Sequence, residues 1–190
     1  LLCEKALYLG ALPNAQAIFQ RSLSNYAFQS KQLEWRRKLL DYTLTPNKSA
    51  KSIKSLLAYS RRFMKNKQSA QLYQIQATHY LFQGQIDSAL ILSDQSVQIA
   101  KRSAGSWTLI NALQAQAEVF WRANLLDKAV QRSIFSLQLA EEAQLPYFKI
   151  RPLILIAAIS LEVGNDDQTI AYAKRAQNLA DQYQDDFFRA

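Results

Sequence analysis

Apolar side chains recur along this chain at the three- and four-residue intervals of an amphipathic helix, and residues typical of turns interrupt the pattern. In one segment, for example, Ile53, Leu56, Leu57, Phe63 and Met64 share a face, and basic residues lie outside it. The whole pattern predicts an all-α protein without strands. Helices are expected near residues 2–10, 14–29, 31–44, 47–65, 67–83, 86–102, 107–123, 126–143, 148–163 and 166–184.

Three of the predicted turns stand forty residues apart and have similar neighbours. Each turn contains a residue type that tolerates a left-handed backbone, and small residues stand seven positions before it and five positions after it. The turn residues are Gly84, Asn124 and Gly164, the preceding small residues are Ala77, Ala117 and Ala157, and the following ones are Ala89, Ala129 and Thr169. Because small side chains let two helices approach closely, these positions predict helix crossings.

The order of these residues resembles the tetratricopeptide (TPR) motif, in which a small residue is followed by a bulky one, a turn residue and a second small one. Ala77, Tyr80, Gly84 and Ala89 carry the resemblance, and Ala117, Phe120, Asn124 and Ala129 repeat it. The usual TPR period is about 34 residues, so an interval of forty resembles the longer repeats of bacterial transcription activators of the maltose-activator type and of some sensor proteins. The resemblance implies a superhelical stack of about five antiparallel helical hairpins.

The expected domain organisation is a single TPR-like array over residues 1–190, excised from a larger protein. It comprises a truncated first hairpin (1–30), a degenerate basic hairpin (31–66), three regular hairpins (67–104, 105–145 and 146–184) and the start of a further helix (185–190).

The composition of the chain limits which kinds of functional site it can contain. Hydrophobic residues make up 49% of it, and glycine and proline number only four each, which favours a packed helical protein over a disordered one. The single cysteine, Cys3, excludes an internal disulfide and is compatible with the cytoplasm. His79 is the only histidine and has no second ligand at metal-binding spacing. We therefore predict no catalytic residue, no metal, no cofactor and no membrane span.

The excess positive charge is confined to one segment. Residues 31–67 contain eleven basic and two acidic residues, a net charge of +9, whereas the whole chain carries +8. Lys51, Lys54, Arg61 and Lys65 share one face of a predicted helix there, and Lys48 and Arg62 flank that face. This face is either a contact surface for nucleic-acid phosphates or an acidic partner, or simply a solvated helix surface.

The TPR register predicts an inner, concave wall built by the first helix of each hairpin. Its residues are Gln71, Gln74, Thr78, Phe82, Asn111, Gln114, Glu118, Trp121, Arg122 and Arg151. Amides, aromatic rings and arginines suit a protein or peptide partner, or a small polar effector. Phe82 and Trp121 could instead fill space between hairpins. We expect a non-enzymatic binding scaffold in a signalling or transcription-regulatory protein, with a nucleic-acid module or a subunit-assembly platform as alternatives.

Overall fold

A computed structural model describes residues 66–102 and 105–189, together with Ser55, Leu56, Ala58 and Tyr59. The chain divides into two units, Leu1–Lys65 and Asn66–Ala190. In the first unit the four described residues are helical and Leu56 is buried. The predicted helices at 2–10, 14–29 and 31–44, and the basic residues Lys48, Lys51, Lys54, Arg61, Arg62 and Lys65, lie outside the described residues.

The second unit is entirely helical over its described residues. Its helices are α1 (Asn66–Phe82), α2 (Ile86–Lys101), α3 (Ser106–Arg122), α4 (Leu126–Glu142), a 3₁₀ helix (Pro146–Lys149), α5 (Ile150–Glu162) and α6 (Asp166–Arg189). No strand occurs in these residues, so the all-α prediction is confirmed for them. The predicted helix bounds agree to within a few residues, with two exceptions.

One exception concerns where a helix begins, and the other concerns where a helix ends. The helix predicted from residue 148 starts at Ile150, because Pro146 opens a separate 3₁₀ turn before it. Pro152 then occupies the first turn of α5, where its missing N–H has no intrahelical partner to lose. At the other end α6 runs on to Arg189, so residues 185–189 continue α6 and do not begin a further helix.

The predicted left-handed turn residues are confirmed. Gly84, Asn124 and Gly164 have φ angles of 73°, 58° and 76°. After each of them, the next backbone N–H donates to a carbonyl five residues earlier, at Tyr80, Phe120 and Ser160, over 3.0, 2.8 and 2.8 Å. This pairing satisfies carbonyls that the end of a helix leaves without partners. Gln144, with φ 53°, closes α4 in the same way.

Each helix packs against its neighbour in sequence, and the odd-numbered helices also contact one another in order. Contacts join α1 to α2, α3 to α4 and α5 to α6, and further contacts join α1 to α3 and α3 to α5. One core cluster contains Ala77, Leu81, Ala89 and Val119, from α1, α2 and α3. A second contains Ala117, Ala129, Leu155 and Ile159, from α3, α4 and α5. Helix α3 therefore contributes to both.

Five of the six predicted crossing positions are buried. Ala77, Ala89, Ala117 and Ala129 are fully enclosed, and Ala157 is buried. Thr169 is only half-buried, so the prediction is wrong there. Among the described elements α6 packs mainly on α5 and the 3₁₀ helix, whereas α2 and α4 are each enclosed by helices on both sides. The Thr169 hydroxyl instead donates to the backbone oxygen of Asn165, at 2.9 Å.

Serines occupy several buried positions along α2 and α4. Ser93, Ser96, Ser133 and Ser136 are all buried, and each hydroxyl donates to a backbone carbonyl. Ser96 reaches across to the carbonyl of Ala70 in α1, at 2.8 Å. A small hydroxyl satisfied in this way lets the helices approach without leaving a polar group unpaired. None of the helices in the described part of the chain is long and apolar enough to cross a membrane.

Candidate functional site

The polar side chains that face one another between α3 and α5 form the candidate site, which we call the α3–α5 wall. It consists of Glu118, Trp121 and Arg122 from the end of α3, and Arg151 and Glu162 from α5. Residues three and four apart lie on the same side of a helix, so Trp121 and Arg122 lie on the same side of α3 as Glu118, one turn further along. The contact between α3 and α5 brings the two sets together.

An ion pair closes one end of the wall. Arg151 donates to a carboxylate oxygen of Glu118, with side chains 45% and 26% exposed respectively. A pair that is this accessible to water is worth about 0–1 kcal/mol, because solvent screens it. Its main effect is therefore to orient the two side chains, and part of the Arg151 guanidinium remains accessible.

Trp121 occupies the centre of the wall and is held from three sides. Its indole N–H donates to Glu162 Oε2 at 2.7 Å. Its ring packs against the core cluster of Ala117, Ala129, Leu155 and Ile159. The Arg122 guanidinium carbon lies 4.8 Å from the ring centroid, within the range of a cation–π contact. Trp121 remains half-buried, so it both fills space between the helices and stays partly accessible at the surface.

Two residues predicted for this surface are buried, and this corrects the sequence analysis. Gln114 Nε2 donates to the backbone oxygen of Phe148 at 2.7 Å, which ties α3 to the 3₁₀ helix. Asn111 Nδ2 donates to the backbone oxygen of Trp107 at 3.0 Å. Both amides are buried and donate hydrogen bonds within the protein, so neither is available to a partner. The sequence could not distinguish these amides from exposed ones on the same helix.

The predicted residues on α1 are accessible but are not joined to the wall. Gln71, Gln74 and Thr78 are half-buried, and Phe82 is 75% exposed. The Thr78 hydroxyl donates to the backbone oxygen of Gln74 within its own helix, at 3.1 Å. In the described part of the chain, none of the four forms a hydrogen bond or an ion pair with α3 or α5.

Sequence reasoning missed a group of enclosed polar atoms on α1 and α3. Gln116 and Thr108 are each 1% exposed, and among the described residues Gln116 Oε1 and Thr108 Oγ1 have no hydrogen-bond partner. Gln76 Oε1 and His79 Nε2 on α1 are enclosed and without partners in the same way. A glutamine inside a helix gives no sequence signal of burial.

The site has the groups of a recognition surface. It offers two arginines, two carboxylates and an indole, which can bind acidic or aromatic groups of a partner. Among the described residues, no three His, Cys, Asp or Glu side chains lie close enough together to hold a metal ion. His79, the one histidine, is half-buried, and its ring makes an edge contact with Tyr80 at 6.0 Å.

Comparison with protein-family models, with curated proteins and with solved structures found no match to this chain.

Proposed function

We propose that the chain is a TPR-like binding scaffold whose α3–α5 wall captures a protein or peptide partner. The observation that carries the proposal is the held indole of Trp121, with the exposed Arg122 over its ring and the exposed Arg151 paired with Glu118 on the same wall. A rigid aromatic side chain next to arginine is the composition typical of energetic hot spots in protein interfaces. The scaffold has no catalytic role in this proposal, and it belongs to a larger signalling or transcription-regulatory protein.

Regularity along the chain supports the TPR-like part of this proposal. The left-handed residues at 84, 124 and 164 share one turn geometry. The two core clusters combine equivalent residues, since Ala77 with Ala89 in one corresponds to Ala117 with Ala129 in the other. A repeated unit that packs mainly on its neighbours gives an extended surface suited to a chain-like ligand. On this view α1, α3 and α5 line the concave side of a stack of antiparallel hairpins.

The charges on the wall suggest the chemistry of the partner. Glu118 and Glu162 are already engaged by Arg151 and the Trp121 indole, whereas Arg122 is exposed above the ring. A guanidinium in this position can hold a carboxylate through two parallel hydrogen bonds. The ring edge of Trp121 and the exposed Ile154 add apolar contact area. The best fit is an extended peptide with an acidic side chain beside an apolar one.

Selection from a displayed peptide library tests this proposal. Peptides are selected on the wild-type chain, and their Kd values are measured by fluorescence anisotropy on purified variants. Arg122→Ala should weaken the selected acidic peptides about tenfold or more, because a charge-assisted pair is lost. Arg102→Ala is the matched control, since Arg102 is also an exposed arginine at a helix end, but it follows the last residue of α2.

The alternative result is equally clear. If peptides are selected without acidic enrichment, and Arg122→Ala and Arg102→Ala bind them as tightly as the wild type, the wall is not the binding surface. Circular dichroism on each variant separates a loss of binding from a loss of fold.

A second function, subunit assembly, is favoured by one observation on α4. Ile134 and Phe135 are adjacent and are 41% and 37% exposed. Apolar surface of this kind marks contact sites in many proteins. Light scattering over a hundredfold concentration range tests it: a mass that rises with concentration, and returns to that of a monomer in Phe135→Ser, is expected. A constant monomer mass would exclude assembly through α4.

A further inference from the structure

A cleft of about 220 Å³ lies where the 3₁₀ helix, α5 and α6 meet. Its lining residues are Lys149, Leu153, Arg175, Asn178 and Leu179. None of them belongs to the α3–α5 wall, so the cleft is a separate feature of this unit. Its volume is below the roughly 300–1,000 Å³ of pockets for drug-sized ligands, and it suits a smaller group.

The polar part of the lining favours an anion. Lys149 and Arg175 carry positive charge and only hydrogen-bond donors, and the amide of Asn178 adds two more. No carboxylate is among the described residues that line the cleft. An anion placed here would receive donors from three side chains, and its charge would be balanced by two cations.

Neighbouring residues orient the two cations and neutralise them only in part. Lys149 Nζ lies 3.4 Å from Glu141 Oε1, but the Glu141 side chain is 57% exposed, so the pair is weak. The Arg175 guanidinium carbon lies 5.6 Å from the centroid of the Tyr172 ring, one turn earlier on α6. That contact restrains the arginine and leaves its donors available to a ligand.

The remaining part of the lining is aliphatic. Leu153 is 1% exposed and forms a fixed base, whereas Leu179 is half-buried at the side. A purely inorganic anion would leave Leu179 in contact with water, whereas Leu153 is already shielded from it. A ligand that joins an anionic group to a short hydrocarbon would lie over Leu153, cover Leu179 and gain from removing the apolar surface of Leu179 from solvent.

We propose that this cleft binds a carboxylate carried beside an aliphatic side chain. The charge-assisted bonds come from Lys149 and Arg175, and the hydrocarbon rests on Leu153 and Leu179. The same chemistry is offered by a free branched-chain acid and by the C-terminal residue of a peptide. The two sources differ in whether the carboxylate can be attached to a longer chain.

Titration of the full chain with N-acetyl-leucine, followed by two-dimensional NMR, tests the proposal. We expect shifts at the backbone amides of Lys149, Arg175 and Leu179, with a Kd on the order of 1 mM for a ligand of about a dozen non-hydrogen atoms. N-acetyl-leucinamide, which lacks the charge, should bind at least tenfold more weakly. A tetrapeptide ending in leucine, with a free or an amidated C-terminus, distinguishes the two sources: only a peptide site would bind the free-acid form more tightly than N-acetyl-leucine.

Variants identify the side chains responsible. Arg175→Gln should weaken binding about tenfold, whereas Lys174→Gln, which removes the same charge from the adjacent exposed residue, should change it less than twofold. Glu141→Gln should strengthen binding, because it frees Lys149. The proposal is overturned if 20 mM N-acetyl-leucine shifts no cleft resonance, if the amide binds as well as the acid, or if the two charge variants weaken binding equally. Inorganic phosphate binding as tightly as N-acetyl-leucine would refute the aliphatic part of the proposed ligand.

Discussion

Replacing Ala129 with leucine should overfill the core between α3, α4 and α5. Ala129 is fully buried and packs with Ala117, Leu155 and Ile159. A leucine there adds three carbon atoms to space that is already occupied, and insertions of this kind cost about 1–3 kcal/mol. For a chain of this size each kcal/mol lowers Tm by about 2–4 °C, so the melting temperature should fall by about 2–12 °C.

Thermal unfolding followed by circular dichroism measures this effect, with Ala171→Leu as the control. Ala171 is an exposed alanine on α6, and alanine and leucine have similar helix propensities, so the control should stay within about 0.5 kcal/mol of the wild type. If Ala129→Leu melts at the same temperature as Ala171→Leu, then Ala129 does not lie at a close helix crossing. The register assigned to the forty-residue interval would fail with it.

Three further substitutions or titrations give distinct outcomes. Gln114→Ala should lower the free energy of unfolding by about 0.5–1.5 kcal/mol in a urea titration, because the hydrogen bond from the buried Gln114 amide to the Phe148 carbonyl is lost. A change below 0.5 kcal/mol, as generic surface positions show, would mean that the amide is not needed there. Gly164→Ala should lower the free energy of unfolding by about 1 kcal/mol, and the cause is the positive φ of 76° alone, since an added Cβ meets no atom within 4 Å. Asparagine tolerates a positive φ, so equal stability of Gly164→Asn and the wild type would support backbone strain as the cause. If the basic face at Lys51, Lys54, Arg61 and Lys65 contacts phosphates, binding of a short duplex DNA should weaken steeply between 50 and 200 mM salt; absence of binding at micromolar protein in 50 mM salt would exclude that role.

The sequence was informative about backbone geometry and about small residues. A left-handed φ favours glycine or asparagine, so Gly84, Asn124 and Gly164 could be predicted from residue type alone. Alanine has no polar atom and leaves room for a neighbouring helix, so the burial of Ala77 and Ala117 could be predicted too. Gln144 escaped notice because glutamine seldom adopts a positive φ, and residue type therefore gave no signal.

The candidate site was predicted less well, for a physical reason. A long amide side chain can reach either solvent or a neighbouring backbone, and which it does depends on the distance between helices. Gln114 and Gln116 are both buried in α3, one satisfied by Phe148 and the other with an unmet oxygen. For Trp121 the sequence predicts either a contact residue for a partner or a side chain that fills space between helices. Its ring packs against the core and is also partly exposed, so it has features of both.

The position of α3 has a consequence for how this unit opens. Residues 110–117 of α3 are buried without interruption, so the middle of this helix is covered on every side. Amide hydrogens in such a segment exchange with solvent only when the surrounding elements separate, which makes α3 the expected slowest-exchanging helix among those described. Glu118, Trp121 and Arg122 continue this protected helix toward the surface. A ligand on the wall would therefore be coupled to global unfolding, and it would slow exchange throughout α3 by a factor of 1 + L/Kd, where L is the free ligand concentration.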